Sequence, residues 1–123
     1  MTVGPTQRRS ATIDATIASS GSLSGVVNMS GHFLAGIIMP SAWDAASLTF
    51  QACETSNGTF FDVYKDDGTE LSYTVAASRY VVINPANFIE APFIKVRSGT
   101  SSSAVNQTAE RVIQILAYNP NDP

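Results

Sequence analysis

His32 is the only histidine of the chain and Cys53 the only cysteine, so nucleophilic chemistry with an imidazole base would have to use this one pair. His32 stands between Gly31 and Phe33, where a turn meets an apolar run, and Cys53 is flanked by Ala52 and Glu54. No cation or helix start stands beside the thiol to favour a thiolate. The pair reads as a turn histidine and a strand cysteine. A single cysteine also leaves no internal disulfide and no thiolate set for zinc. Asp62, Asp66, Asp67 and Glu70 form the densest acidic group. Calcium loops of the EF-hand type need oxygen ligands where this segment has Val63 and Lys65, so two carboxylates at a hairpin tip are the simpler account. No second acidic pair faces a cleft as glycoside hydrolysis requires. A nucleophile elbow, a glycine-rich phosphate loop and an H-E-x-x-H sequence are all missing. These residues predict a protein that is not an enzyme and that takes no cofactor and no metal.

The elements that would carry these side chains are strands. Apolar and polar residues alternate with period two between turn residues, the pattern of strands with one buried face. Ile13, Ala15 and Ile17 share one side of the segment Ser10 to Ala18, with Thr12, Asp14 and Thr16 on the other. Further strands are expected over Val26 to Met29, Phe33 to Met39, Ser47 to Glu54, Phe60 to Tyr64, Thr69 to Val75, Tyr80 to Ile83, Phe93 to Arg97 and Arg111 to Tyr118. In the fourth of these nine, Leu48, Phe50 and Ala52 point inward, and Thr49, Gln51 and Cys53 point outward. Lys65-Asp66-Asp67-Gly68 reads as a hairpin turn, and Asn84 to Asn87 as a turn with one coil of 3₁₀-helix. Pro40 stops the third strand, and the Trp43 indole is expected to fold back over the end of the sandwich. Eight or nine short strands about ten residues apart predict an all-β fold, an antiparallel β-sandwich of jelly-roll-like form over residues 10–118. Residues 1–9 are expected as an extended N-terminal arm and 119–123 as a short tail. Trp43, Phe50 and Ile94 are the expected structural core.

A chain of 123 residues holds one domain. Charged residues are 14%, well under the usual share of roughly 25%, and serine and threonine fill the gap. The net charge of −3 has the wrong sign for a phosphate-binding groove, which argues against nucleic acid as a partner. The longest apolar run, Phe33 to Met39, is about a third of the ~20 residues that cross a bilayer. The first residues carry no signal-peptide pattern. The expectation is a protein made in a cytoplasm, with no membrane partner. Asn28, Asn57 and Asn106 head N-x-Ser/Thr triplets, discounted for lack of a secretory context. Phe60, Tyr64, Tyr73, Tyr80 and Tyr118 fit a core or an oligomer interface, and some of them a sugar-stacking platform.

The stretch from Ile38 through Met39-Pro40-Ser41-Ala42-Trp43-Asp44 to Gln51, with Gly58-Thr59-Phe60 and Asp67-Gly68-Thr69-Glu70, resembles a small β-sandwich module of structural proteins in tailed bacteriophages. Phe93-Ile94-Lys95-Val96-Arg97-Ser98-Gly99-Thr100 and Val105-Asn106-Gln107 extend the resemblance to about Leu23 to Ala117. It implies a virion component on the capsid surface, a decoration or cement protein whose partner is the major capsid protein. The threefold geometry this suggests, with an uncharged, hydroxyl-rich and aromatic surface, predicts a homotrimer. The arm is the expected clamp, with Val3 and Pro5 as apolar contacts and Arg8 and Arg9 as the only adjacent cations. The rival expectation is a host-recognition or glycan-binding module of a fibre or spike.

Overall fold

A computed structural model describes residues 10–119. Eight strands form: β1 (Ser10–Ile17), β2 (Val27–Asn28), β3 (Phe33–Ile38), β4 (Leu48–Cys53), β5 (Phe61–Asp62), β6 (Tyr80–Val82), β7 (Phe93–Ser98) and β8 (Arg111–Tyr118). They make two antiparallel four-stranded sheets packed face to face, a β-sandwich. Sheet A has the order β1-β8-β3-β6 and sheet B the order β2-β7-β4-β5. First therefore pairs with last, second with seventh, third with sixth and fourth with fifth, as in one long hairpin rolled up on itself.

Alternation sets the core. Ile13, Ile115, Ile37 and Val81 lie in one row across sheet A, and of these Ile115 and Ile37 are fully buried. Val27 and Ile94 pair on sheet B, as do Phe50 and Val96. The Phe50 ring meets Phe88 at 5.1 Å and Tyr73 at 5.9 Å, both edge to face. Phe88 comes from the 3₁₀ turn Pro85–Phe88, which is capped by the Asn84 side chain accepting from the Ala86 N–H. Phe50 and Ile94 are fully buried. Trp43 is only half-buried: its indole packs against the core, and Nε1 donates to the Ala46 carbonyl at 3.1 Å.

Three expectations need correction. Thr69 to Val75 is not a strand and Tyr64 is outside one; this region is held by isolated bridges, Tyr64 to Glu70 and Leu48 to Tyr73. Polar and turn residues outnumber paired positions there, so a continuous ladder does not form. The turn itself closes as read, with Gly68 at φ 90° and its N–H donating to Lys65. Thr49 is buried rather than exposed, because the loop after β7 folds over it and its hydroxyl donates to the Gly99 carbonyl at 2.7 Å. Ala52 is only half-buried, since the sheet B edge beyond it is formed by the two-residue β5.

Candidate interaction face

The residues singled out for chemistry each make local contacts of their own. His32 Nδ1 lies 3.1 Å from both the Met29 and the Ser30 carbonyl oxygens. The Cys53 sulfur accepts from the Thr55 N–H at 3.5 Å. Among the described residues no hydrogen bond joins the two. The acidic group is also divided. Asp62 accepts from both terminal nitrogens of Arg97, whose Nη1 lies 3.8 Å from the Glu70 carboxylate. Glu70 in turn receives the Ser101 N–H. Asp67 turns back on its own loop, taking the Thr69 N–H and hydroxyl, and these two bonds hold its carboxyl below the usual aspartate range. A buried cation thus occupies the place that a metal reading needs. Among the described residues no group of three or more metal-ligating side chains is assembled.

A second polar knot ties the loop after β3 to the start of β8. Gln107 is fully buried: its amide nitrogen donates to the Asp44 carbonyl and the Ser98 hydroxyl, while its oxygen accepts from the Asp44 N–H and Arg111 Nε. Asp44 accepts the Thr108 N–H at 2.7 Å and pairs with Arg111 at 3.1 Å. The Thr108 N–H is the main reason its carboxyl sits below the ordinary range, with the Thr108 hydroxyl and Arg111 adding to it. Every buried side-chain polar atom among the described residues is satisfied, so both knots are finished structural joints.

The outer faces of the two sheets differ in kind. The outward row of sheet B holds Thr49 beside Arg97 and Gln51 between Lys95 and Asp62. These positions are polar, and the Arg97 network together with the loop over Thr49 covers much of them, while the next outward positions, Cys53, Phe93 and Asn28, are mixed; Lys95 lies 4.6 Å from the centre of the Phe60 ring. Sheet A is open and apolar on its outside. One row runs Thr12, Leu116, Gly36, Val82 and the next Asp14, Gln114, Ile38, Tyr80. Val112 and Tyr118 extend the same side of β8. Val82 is 81% exposed and Tyr80 65%. The Leu116 side chain lies across Gly36, where an added Cβ would stand 3.2 Å from its Cδ1, so the glycine makes room for an apolar surface to close over the strand.

Phe50 and Ile94 lie inside, on sheet B, and Trp43 lies at a sandwich end, so the three are not brought together as one site. Val3, Pro5, Arg8 and Arg9, the expected clamp, lie outside the described residues. Of the aromatics, Tyr73 joins the core, Phe60 is half-buried, and Tyr64, Tyr80 and Tyr118 are exposed. Ile38, Val82, Val112 and Leu116 were missing from the candidate set. Their signal is in β8, where Ile113 and Ile115 mark the inner face and yet Val112, Leu116 and Tyr118 on the other parity are also apolar. No protein-family model, curated protein or solved structure matches the chain.

Proposed function

We propose that this chain is a structural component of a bacteriophage virion, a decoration or cement protein on the capsid surface that bridges neighbouring major capsid subunits. The observation that carries the reading is the outer face of sheet A. Single exposed apolar residues are ordinary, but a contiguous patch spread over three adjacent strands marks an interaction surface. The other sheet turns polar side chains outward, so one face is set apart for a partner. The strand order supports a jelly-roll reading, since first-with-last pairing through fourth-with-fifth is the order of that fold, which serves viral coats and lectins. The fold alone assigns no activity. The resemblance of the Ile38 to Gln51 and Phe93 to Thr100 stretches to phage sandwich modules supplies the virion context.

Cementing needs little chemistry. A shell pushed outward by packaged DNA gains resistance when an added subunit ties several capsomers together, each contact weak and the sum multivalent. A homotrimer at a threefold position triples every contact. The arm, with Val3, Pro5, Arg8 and Arg9, adds a second attachment.

The fibre or spike reading has one observation of its own. Tyr64, Lys65, Asp66 and Asn87 line a depression of about 320 Å³ with Val63 and Leu71, an aromatic ring beside polar groups as sugars require. Counting copies in purified particles against the major capsid subunit separates the two. Hundreds of copies fit cement, a handful fit a fibre or spike, and absence from particles refutes both. In the cement case Tyr80→Lys with Val82→Lys abolishes decoration of empty capsids and leaves the fold intact.

A further inference from the structure

β1 stands at the edge of sheet A, and all eight of its residues pair with β8 in unbroken register. Among the described residues no strand pairs with its other edge. Proteins usually blunt such an edge with lysine, proline, a bulge or shortness. β1 has none of these, and Asp14 is its only charge. Its sequence is also nearly self-matching: Ala-Thr-Ile stands on each side of Asp14, as Ala11-Thr12-Ile13 and Ala15-Thr16-Ile17.

We infer that β1 is a self-association edge, where two copies of this chain pair their β1 strands antiparallel about a twofold axis through Asp14 and join their A sheets into one sheet of eight strands. The register follows from packing and from the length of strand paired, since axes on Thr12 or Thr16 would match fewer residues of β1. A twofold axis perpendicular to the sheet keeps core side with core side, so the axis must pass through a residue and never between two. On Asp14 it sets Ala11 against Ile17 and Ile13 against Ala15 on the core side, a large residue facing a small one at every pair. On the outer side Thr12 faces Thr16, a favoured cross-strand pair. An axis on Ile13 would set isoleucine against isoleucine and Ala11 against Ala15. An axis on Ala15 would set Ile13 against Ile17 and alanine against alanine. Both alternatives crowd one pair and leave a gap at another.

The opposing contribution is Asp14 facing its own copy. Asp14 is exposed and lies opposite Gln114 of β8, and no other charge stands on β1. Repulsion there is weakened by water and salt, so the aspartate limits the affinity and keeps the contact reversible. The axis leaves both apolar outer faces on the same side of the joined sheet, doubling the surface offered to a partner. The inference goes beyond the capsid reading and does not depend on it. Combined with a threefold contact whose axis meets this one at right angles, it gives a hexamer.

Cysteine cross-linking of the full chain tests the register, in a Cys53→Ser background. A residue on the axis is its own partner, with Cα atoms ~4.5 to 5.5 Å apart, inside the span of roughly 4.4 to 6.8 Å that a disulfide bridges. Asp14→Cys should form a covalent dimer in a glutathione redox buffer. Thr12→Cys alone should not, but should cross-link when mixed with Thr16→Cys. Asp14→Asn should tighten self-association roughly fivefold by removing a like-charge pair, and Thr12→Lys with Thr16→Lys should halve the sedimenting mass. Cross-linking of Asp14→Cys no faster than of exposed Ser72→Cys overturns the inference. So does self-cross-linking of Thr12→Cys at the Asp14→Cys rate, or a mass that the lysine pair leaves unchanged. Copy number in virions bears on none of these readouts, so either reading can fail alone.

Discussion

Arg97→Met is the sharpest test of how the polar side of the sandwich is held. The Arg97 side chain is 7% exposed, against 34% for Asp62 and 15% for Glu70. Methionine keeps most of the aliphatic volume but leaves two carboxylates without their cation. Removing one partner of a buried pair costs roughly 3 to 5 kcal/mol, mostly from the charge left behind. Asp62 already reaches water and can turn further toward it, and Glu70 keeps the Ser101 N–H, so the low end applies and the expected loss is about 3 kcal/mol. For a chain of this size that lowers the melting temperature by about 10 °C. At an m-value of roughly 1.5 kcal/mol/M, the urea midpoint falls by about 2 M.

The control is the triple variant Arg97→Met, Asp62→Asn, Glu70→Gln. Replacing a buried ion network with neutral groups is often neutral in stability, so this variant should recover most of the loss. The double variant Asp62→Asn, Glu70→Gln, which strands the cation, should be about as unstable as Arg97→Met. Urea and thermal unfolding of the four proteins measure the coupling directly. Arg97→Met within 1 kcal/mol of the native protein would refute the reasoning, because it would mean that the 60–75 segment is held by its apolar contacts alone.

Phe50→Ala should cost about 3 to 5 kcal/mol, since it removes a fully buried ring and both of its edge-to-face partners; Trp43→Ala, at a half-buried site, should cost less in the same denaturation assay. Stability should hold steady from neutral pH down to about pH 5 and fall as the pH drops below about 4. Asp44 and Asp67 have carboxyls lowered by their hydrogen bonds. Their stabilisation is complete above the unfolded value and is lost as the pH falls through the folded one, so Asp44→Asn should flatten part of an acid titration of the melting temperature. Deleting Met1 to Arg9 should leave the far-ultraviolet spectrum of the sandwich unchanged and weaken binding to empty capsids. Arg8→Ala with Arg9→Ala should have a smaller effect that shrinks in high salt.

The strands legible from sequence are those whose order is written locally. β1, β4 and β7 alternate apolar with polar residues over six to eight positions, β3 is a continuous apolar run, and β8 alternates on its inner face with apolar residues on both sides; a buried face leaves only one register open to them. The 60–75 segment departs from its strand pattern because its shape depends on Arg97, far along the chain, and on single bridges instead of a ladder. Parity puts Thr49 outward and nothing near Gln107 in the chain signals burial, yet both are fully buried. Their cover comes from distant segments, Gly99 for Thr49 and Asp44 for Gln107, and no local window contains it. The sheet A face was legible in part: an apolar residue at the wrong parity of an alternating strand is a signal that can be read without coordinates.

The two kinds of outer face bear on each other. If sheet A's outside were merely surplus apolar surface, sheet B's outside should be similar, since the strands of both sheets are drawn from the same weakly charged chain. Instead the described charges that form buried or half-buried pairs gather on sheet B and at the joint beside β8, at Arg97, Asp62, Glu70, Asp44 and Arg111. Only Asp14 charges the strands of sheet A on their open side. Ser10 pairs with Tyr118 and Tyr118 with Phe33, so the chain enters β1 and leaves β8 at the same corner of this sheet. The chain before Ser10 therefore joins the described fold at the corner where Tyr118 stands. If, as proposed, the segment before Ser10 and this face bind one partner, their losses should be coupled: a chain lacking both should bind better than the product of the two separate losses predicts, and a loss equal to that product would show that the two act independently.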